Sequence, residues 1–178
     1  MSTSSPSAQF FLRDESATTR LGALLAQALL AQRASIEAQG FTLTVSGDLG
    51  AGKTTLVRGC LRELGVTGAV KSPTFALLEP YVFSSLNFYH FDFYRFAGPT
   101  EFGDSGFREL FGPGTVCAIE WPERAVGQLP TPDLEVTLTI QEEARLVTLL
   151  ARTELGAACL KCVQKNWTLN QMANGADA

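Results

Sequence analysis

At 178 residues the chain has room for one compact domain with a short appendage, and 46% apolar against 18% charged residues excludes disorder as its main state. Fourteen Lys+Arg against 18 Asp+Glu leave a net charge of −4, the wrong sign for a domain that grips nucleic acid unaided by displacing counterions. No apolar run approaches the ~20 residues of a bilayer span, and MSTSSPSAQF lacks a basic flank before an apolar core, so the expectation is a cytoplasmic protein with no membrane partner.

In chain order, Phe10 to Arg13 reads as a short edge strand. Asp14 or Ser16 then caps a helix that carries Leu21, Leu24, Leu25, Ala28 and Leu29 at helical spacing and ends before Gly40. Phe41, Leu43 and Val45 alternate with Thr42, Thr44 and Ser46, a strand that Gly47 breaks. A helix restarts near Lys53, with Leu56, Val57, Cys60, Leu61 and Leu64 along one face up to Gly65. Val70 to Arg95 is rich in aromatic and β-branched residues and is interrupted around Pro80 to Asn87, which predicts two extended pieces joined by a turn.

The Gly- and Pro-rich stretch Gly98 to Gly114 predicts a surface loop with two short helical pieces. Val116 to Ile119 is an apolar strand ending at Glu120, and Leu134 to Ile140 with Leu146 to Leu150 form a hairpin around Gln141 to Glu143. From Thr153 a helix runs on and frays into the final NGADA. The division is a domain over residues 1–155 and a C-terminal helical or disordered tail over 156–178. Cys159 and Cys162 in that tail form a C-x-x-C pair, either a metal or redox motif or two small side chains one helical turn apart. A lone histidine, His90, leaves a zinc site short of ligands.

The strongest chemical signal is Gly47-Asp48-Leu49-Gly50-Ala51-Gly52-Lys53-Thr54, a match to G-x-x-x-x-G-K-[ST]. Chance produces such a match roughly once in 200 chains of this length and composition, and here it lies between a strand and a helix as its mechanics require. Small residues let the backbone wrap a polyphosphate, so that successive N–H groups and the helix N-terminus point at the anion. Lys53 then reaches the β and γ phosphates, Thr54 supplies a hydroxyl for Mg²⁺, and Thr55 lies within reach of the α-phosphate. Such a site also needs a carboxylate at the end of a neighbouring strand. Glu120 follows the better buried strand and is assigned to the metal; Asp92, after Phe88 to Phe91, is assigned to the attacking water or the metal's outer shell. No N-K-x-D string for guanine occurs, so ATP is the expected nucleotide.

Four strings together, GDLGAGKTT (47–55), VKSPTF (70–75), YHFDFYRF (89–96) and IEWPER (119–124), resemble the bacterial TsaE proteins in order and spacing. The resemblance implies a P-loop α/β fold, a mostly parallel sheet with antiparallel strands and helices on both faces. It implies an ATPase that uses ATP and Mg²⁺ and works with TsaB and TsaD, which modify adenosine 37 of tRNA to N6-threonylcarbamoyladenosine. Contact with tRNA is then indirect, and hydrolysis resets the complex between turnovers. Carried over by position, Thr54 and Glu120 are the Mg²⁺ residues, Lys53 the phosphate lysine and Asp92 an acid needed for hydrolysis. Ser72 to Phe75 becomes a switch-like segment, Trp121 lies beside the nucleotide, and Glu15 to Thr19 approach its base.

Several roles stay open on the residues alone. Ser72-Pro73-Thr74 is also an ordinary turn, His90 is structural or functional, and Arg95 either pairs with Asp92 or stabilises phosphate charge. Two rival functions remain as well, a nucleotide-dependent interaction module with little turnover and a small-molecule P-loop kinase.

Overall fold

The structure is a computed structural model that describes residues 5–175. Its strands are β1 (Ser7–Leu12), β2 (Phe41–Gly47), β3 (Leu78–Val82), β4 (Asn87–Asp92), β5 (Thr115–Glu120), β6 (Leu134–Gln141) and β7 (Ala144–Ala151). The α-helices are α1 (Glu15–Ala31), α2 (Arg33–Gln39), α3 (Lys53–Glu63), α4 (Thr100–Asp104) and α5 (Glu154–Gly175). The strands form one sheet in the order β1-β7-β6-β2-β5-β4-β3. β6, β2, β5 and β4 are mutually parallel at its centre, while β7 and β3 run against them. Among the described residues no helix is long and apolar enough to cross a membrane.

Alternation along the central strands decides what each face holds. Val116 and Ala118 of β5 join the main core under α1, α3 and α5, whereas Cys117 and Ile119 point the other way into a smaller cluster. On β4, Phe88 faces the main core and Phe91 the smaller one. The smaller cluster is built of aromatic rings: Phe93 stacks on Phe96 at 4.5 Å between centroids and Phe91 on Phe111 at 5.7 Å. Phe102 of α4 is fully buried there with Phe107, Leu110 and Phe111 packed beside it, so the stretch expected as a surface loop has its two short helical pieces but also contributes to a core. The expected boundaries shift at Pro80 too, which lies inside β3 where a break was read. β3 pairs only with β4 and is therefore an edge, the one place in a sheet where a residue without N–H is tolerated.

Helix α1 begins as its sequence dictates, with the Asp14 carboxylate accepting from the Ala17 N–H at 2.7 Å. The C-terminal stretch begins α5 in a similar way. Thr153 Oγ1 accepts from the Gly156 N–H at 3.0 Å and donates to Asp133 at 2.6 Å. Leu155, Cys159, Leu160 and Val163 of α5 are buried in the main core, and Trp167 meets Phe10 edge-on at 5.4 Å. Cys159 is thus a core residue and Cys162 is half-buried beside Asn166. The expected fraying falls partly on residues 176–178, which lie outside the described residues.

The placement of α3 depends on how closely α1 approaches it. Gly22 of α1 faces the backbone of Leu56 and Gly59, and Gly59 in turn faces the backbone of Thr19; a methyl on either would overlap a carbonyl oxygen. A Gly22→Ala change gains ~1 kcal/mol of helix propensity but forces the helices apart, and overpacking of this kind costs up to about 3 kcal/mol. Gly22→Ala is expected to lower the unfolding free energy by about 2 kcal/mol in denaturant titration. A neutral or stabilising result would mean that the helices separate without cost.

Candidate functional site

β2, β5 and β4 end together because they are parallel and in register: Val45 lies opposite Glu120, and Glu120 opposite Asp92. The loop after β2 therefore meets both strand-end acids at one edge of the sheet, where open α/β folds place ligands. The edge holds a cleft of about 320 Å³ whose charged lining residues are Lys53, Asp92 and Glu120.

The loop is shaped by glycine. Gly52 has φ 104°, and Gly47 and Gly50 are also in positive φ, conformations that a side chain disfavours. Gly52 is the residue before α3, with no side chain capping it, and the first N–H to find its helical acceptor is that of Leu56, bonded to the Gly52 carbonyl. Among the described residues the N–H groups of Lys53, Thr54 and Thr55 have no acceptor. No acidic side chain occupies that first turn. An unsatisfied, positively polarised helix end opening on a cleft is a donor set for an anion such as phosphate. Ala51 is buried in the main core, and its carbonyl accepts from Arg145 Nε at 3.2 Å, which ties the loop to β7. Leu49 stands exposed at the crest.

Lys53 is buried, and its ammonium donates to the carbonyls of Gly47 at 2.6 Å and Asp48 at 2.8 Å. The same nitrogen lies 3.9 Å from the centre of the Trp121 ring. Burial lowers its pKa below the ordinary lysine value, against an opposing pull from Glu120, Asp92, Glu123 and Asp48. Trp121 reaches this position from the left-handed backbone region, φ 58° and ψ 48°, uncommon for a bulky residue and here adopted beside a candidate site. Tyr94 also packs against it, with ring centroids 5.0 Å apart, and both rings line the cleft.

Glu120 is buried at the end of β5. Its two oxygens lie 2.9 and 3.1 Å from Thr54 Oγ1, and Oε1 also lies 2.8 Å from His90 Nε2. Asp92 has a separate set of partners. Its Oδ2 accepts from both Ser72 Oγ and Thr74 Oγ1, the latter at 2.7 Å, and its Oδ1 accepts from the Tyr94 N–H at 2.9 Å. Residues 72–77 thus make a turn, closed by Leu77 N–H on the Pro73 carbonyl, and that turn is fastened to the acid. The Ser-Pro-Thr string is thus a turn, bonded to Asp92.

Thr54 and Glu120 supply two hard oxygen donors, and no cluster of three or more His, Cys, Asp or Glu side chains that could hold a metal occurs among the described residues. That chemistry fits a cation such as Mg²⁺, which keeps waters and shares its remaining positions with phosphate oxygens.

The comparisons with known proteins agree with one another. The family model for "Threonylcarbamoyl adenosine biosynthesis protein TsaE" matches residues 12–147. A protein of Haemophilus influenzae named tRNA threonylcarbamoyladenosine biosynthesis protein TsaE is 40% identical over 146 residues, covering 82% of this chain and 90% of that one. Its namesake in Bacillus subtilis is 41% identical over 99 residues, 56% of this chain and 61% of the other. The chain belongs to the TsaE family. The crystal structure of YdiB from Bacillus subtilis superimposes with a TM-score of 0.74 at 27% identity, covering 93% of this chain and 99% of that one. The α/β fold of this TsaE chain is that neighbour's P-loop-like fold.

Of the residues singled out in the sequence, Leu49, Gly50, Gly52, Lys53, Thr54, Thr55, Asp92, Glu120 and Trp121 line the cleft of this TsaE protein. Gly47 and Asp48 adjoin it through their carbonyls on Lys53, whereas Ala51 is buried in the main core and does not line it. In the segment from Glu15 to Thr19, Thr18 brings its methyl to the Gly52 side of the loop. Arg95 forms no pair with Asp92; its guanidinium stacks 3.9 Å over Phe75, whose ring is 85% exposed. Arg108, the one arginine available to a kinase-like lid, bonds Gln128 at 3.2 Å and takes no part in the cleft. Tyr94 and Arg145 were missed, because nothing local marks them: Tyr94 enters beside Trp121 and Arg145 crosses from β7.

Asp92→Asn leaves a neutral amide facing two hydroxyls and an N–H. Bonds to a charged acceptor are worth about 1.5–3 kcal/mol, so local stability in residues 72–77 is expected to fall by about 2 kcal/mol. Native-state hydrogen exchange should show faster exchange of those amides with little change in β2 and β5. Unaltered protection in the turn would mean that Asp92 does not hold it.

Proposed function

We propose that this TsaE protein is a Mg²⁺-dependent ATPase that supports N6-threonylcarbamoyladenosine formation at tRNA adenosine 37 by acting on a TsaB–TsaD complex. The carrying observation is the convergence of the Lys53 and Thr54 loop with Glu120 and Asp92 at one sheet edge, in a family named for that biosynthesis. ATP with Mg²⁺ supplies a phosphoanhydride bond and charge neutralisation for its cleavage. Free N–H groups at the start of α3 and the Lys53 ammonium bind phosphate oxygens. The Thr54 hydroxyl and Glu120 carboxylate hold the cation. Asp92, its orientation fixed by Ser72, Thr74 and Tyr94, accepts a hydrogen bond from the attacking water and can take its proton. Trp121 and Tyr94 exclude bulk water from one side of the cleft. Hydrolysis then changes the Ser72 to Phe75 segment through Asp92 and resets the transferase complex. The tRNA is held by the partners, consistent with the net charge of −4.

Two outcomes are expected. In a reconstituted multi-turnover assay of tRNA modification with TsaB and TsaD, omission of this chain or its replacement by Lys53→Ala should arrest the reaction after about one turnover, because ~10³-fold or more of phosphate stabilisation is lost. Sustained turnover without the chain would overturn the reading.

The second concerns protons. The free protein holds Lys53 at a lowered pKa, and a bound triphosphate raises it again, so the complex carries more protons than its separate components. ATP binding should therefore take up protons increasingly as the pH is raised above neutrality, and affinity should weaken through the free-protein pKa of Lys53. Calorimetry in buffers of different ionisation enthalpy measures the uptake; proton release over that range would reverse the assignment.

A further inference from the structure

His90 is fully buried on β4 and forms no part of the cleft lining. On the helix-facing side of the sheet it lies diagonally from Glu120, since the parallel register pairs His90 with Ala118 and Asp92 with Glu120. Its Nε2 is 2.8 Å from Glu120 Oε1, while its Nδ1 is buried with no hydrogen-bond partner. A carboxylate can only accept, so the proton of this bond sits on Nε2. Leaving the other ring nitrogen bare in the interior costs free energy that packing alone would avoid, because an apolar side chain of similar volume would fill the space without an orphaned polar atom. A histidine kept there with one satisfied nitrogen, and that nitrogen on the carboxylate, is explained by what it does to the carboxylate.

Without the imidazole, Glu120 could rotate about its last torsion, which is broad and roughly two-fold for a carboxylate. With it, Oε1 is bonded to His90 at 2.8 Å, while the single proton of the Thr54 hydroxyl, whose oxygen lies 2.9 Å from Oε1 and 3.1 Å from Oε2, goes to either oxygen or is shared. The two oxygens are therefore inequivalent: Oε1 is committed to His90, and Oε2 has no side-chain partner other than Thr54. We infer that His90 is a positioning residue for Mg²⁺ binding, which locks the Glu120 carboxylate through Oε1 so that Oε2 is the oxygen presented to the cation or to its water. This rests on the nucleotide-binding reading above. Outer partners that orient a metal ligand change metal affinity by about 10- to 100-fold when removed.

Two substitutions separate positioning from packing. His90→Gln carries its amide N–H at the same distance from the backbone as Nε2, whereas His90→Asn stops one bond short; both are polar and fit within the histidine volume. Binding of a fluorescent ATP analogue is measured without metal and across a Mg²⁺ titration, with thermal unfolding recorded for each protein. His90→Asn should raise the Mg²⁺ concentration for half-maximal tightening about tenfold, and His90→Gln should stay within about threefold of the parent. Metal-free affinity should be the same for all three. Equal shifts in both variants, or a fall in metal-free affinity as large as that in the presence of Mg²⁺, would overturn the inference while leaving the ATPase reading intact. A parent protein that binds no nucleotide at all would overturn both.

Discussion

A carboxylate buried at the end of a central strand dominates the organisation of this protein. Glu120 is 2% exposed, and a polar side chain so placed needs hydrogen-bond partners. Its partners come from two other elements, Thr54 at the first turn of α3 and His90 on β4. Those bonds fix the start of α3 relative to β5 and β4, and with it the direction in which the unpaired N–H groups of the loop point. The close contact between α1 and α3 at Gly22 and Gly59 secures the same helix from behind. The site is therefore a joint between one helix and two strands rather than a loop laid over a finished fold.

Strain and compensation sit next to each other at this joint. Trp121 follows Glu120 in a left-handed conformation that costs a bulky residue about 1–3 kcal/mol. Its ring meets both Lys53 and Tyr94 in return, a cation–π contact and an aromatic pair worth about 0.5–2 kcal/mol each. The conformation turns the chain sharply at the end of β5, so that the acid and the aromatic point into the same cleft from consecutive positions. Phe93 uses the turn as well, its N–H bonded to the Glu120 carbonyl, which anchors the aromatic cluster directly beneath the site.

What the sequence made legible follows from range. The loop, its lysine and threonines, and the two strand-end acids could be read because each is defined by neighbours a few residues away: a strand, a glycine, an apolar run before an acid. The Glu120 to His90 bond could not, since it depends on the register of two strands 30 residues apart in sequence. Arg145 escaped for the same reason, acting on Ala51 across 94 residues. Gly98 to Gly114 does carry the two short helical pieces its pattern predicts and is largely exposed, but its glycines and prolines hide the contribution of Phe102, Phe107 and Phe111, whose rings meet one another and Phe91 and Phe93 across the chain. Pro80 looked like a break because sequence carries no mark of which strand will be the edge.

Electrostatics finally explains why a cation belongs with any polyphosphate here. The charged lining of the cleft is one ammonium against two carboxylates, and burial lowers the pKa of that ammonium. A triphosphate brought into that cleft adds several negative charges within a few ångströms of Asp92 and Glu120, and at an effective dielectric of about 20 each such pair at 4 Å repels by ~4 kcal/mol. Lys53 and the dipole at the start of α3 together offset only part of this. On the proposed reading, a divalent cation held by Thr54 and Glu120 would offset that repulsion, at the carboxylate that Thr54 and His90 already bond. On the same reading Asp92, bonded to Ser72, Thr74 and the Tyr94 N–H instead, would be left to act on water. The division of labour between the two acids thus rests on their different hydrogen-bond partners, set by adjacent strands that end at the same level of the sheet.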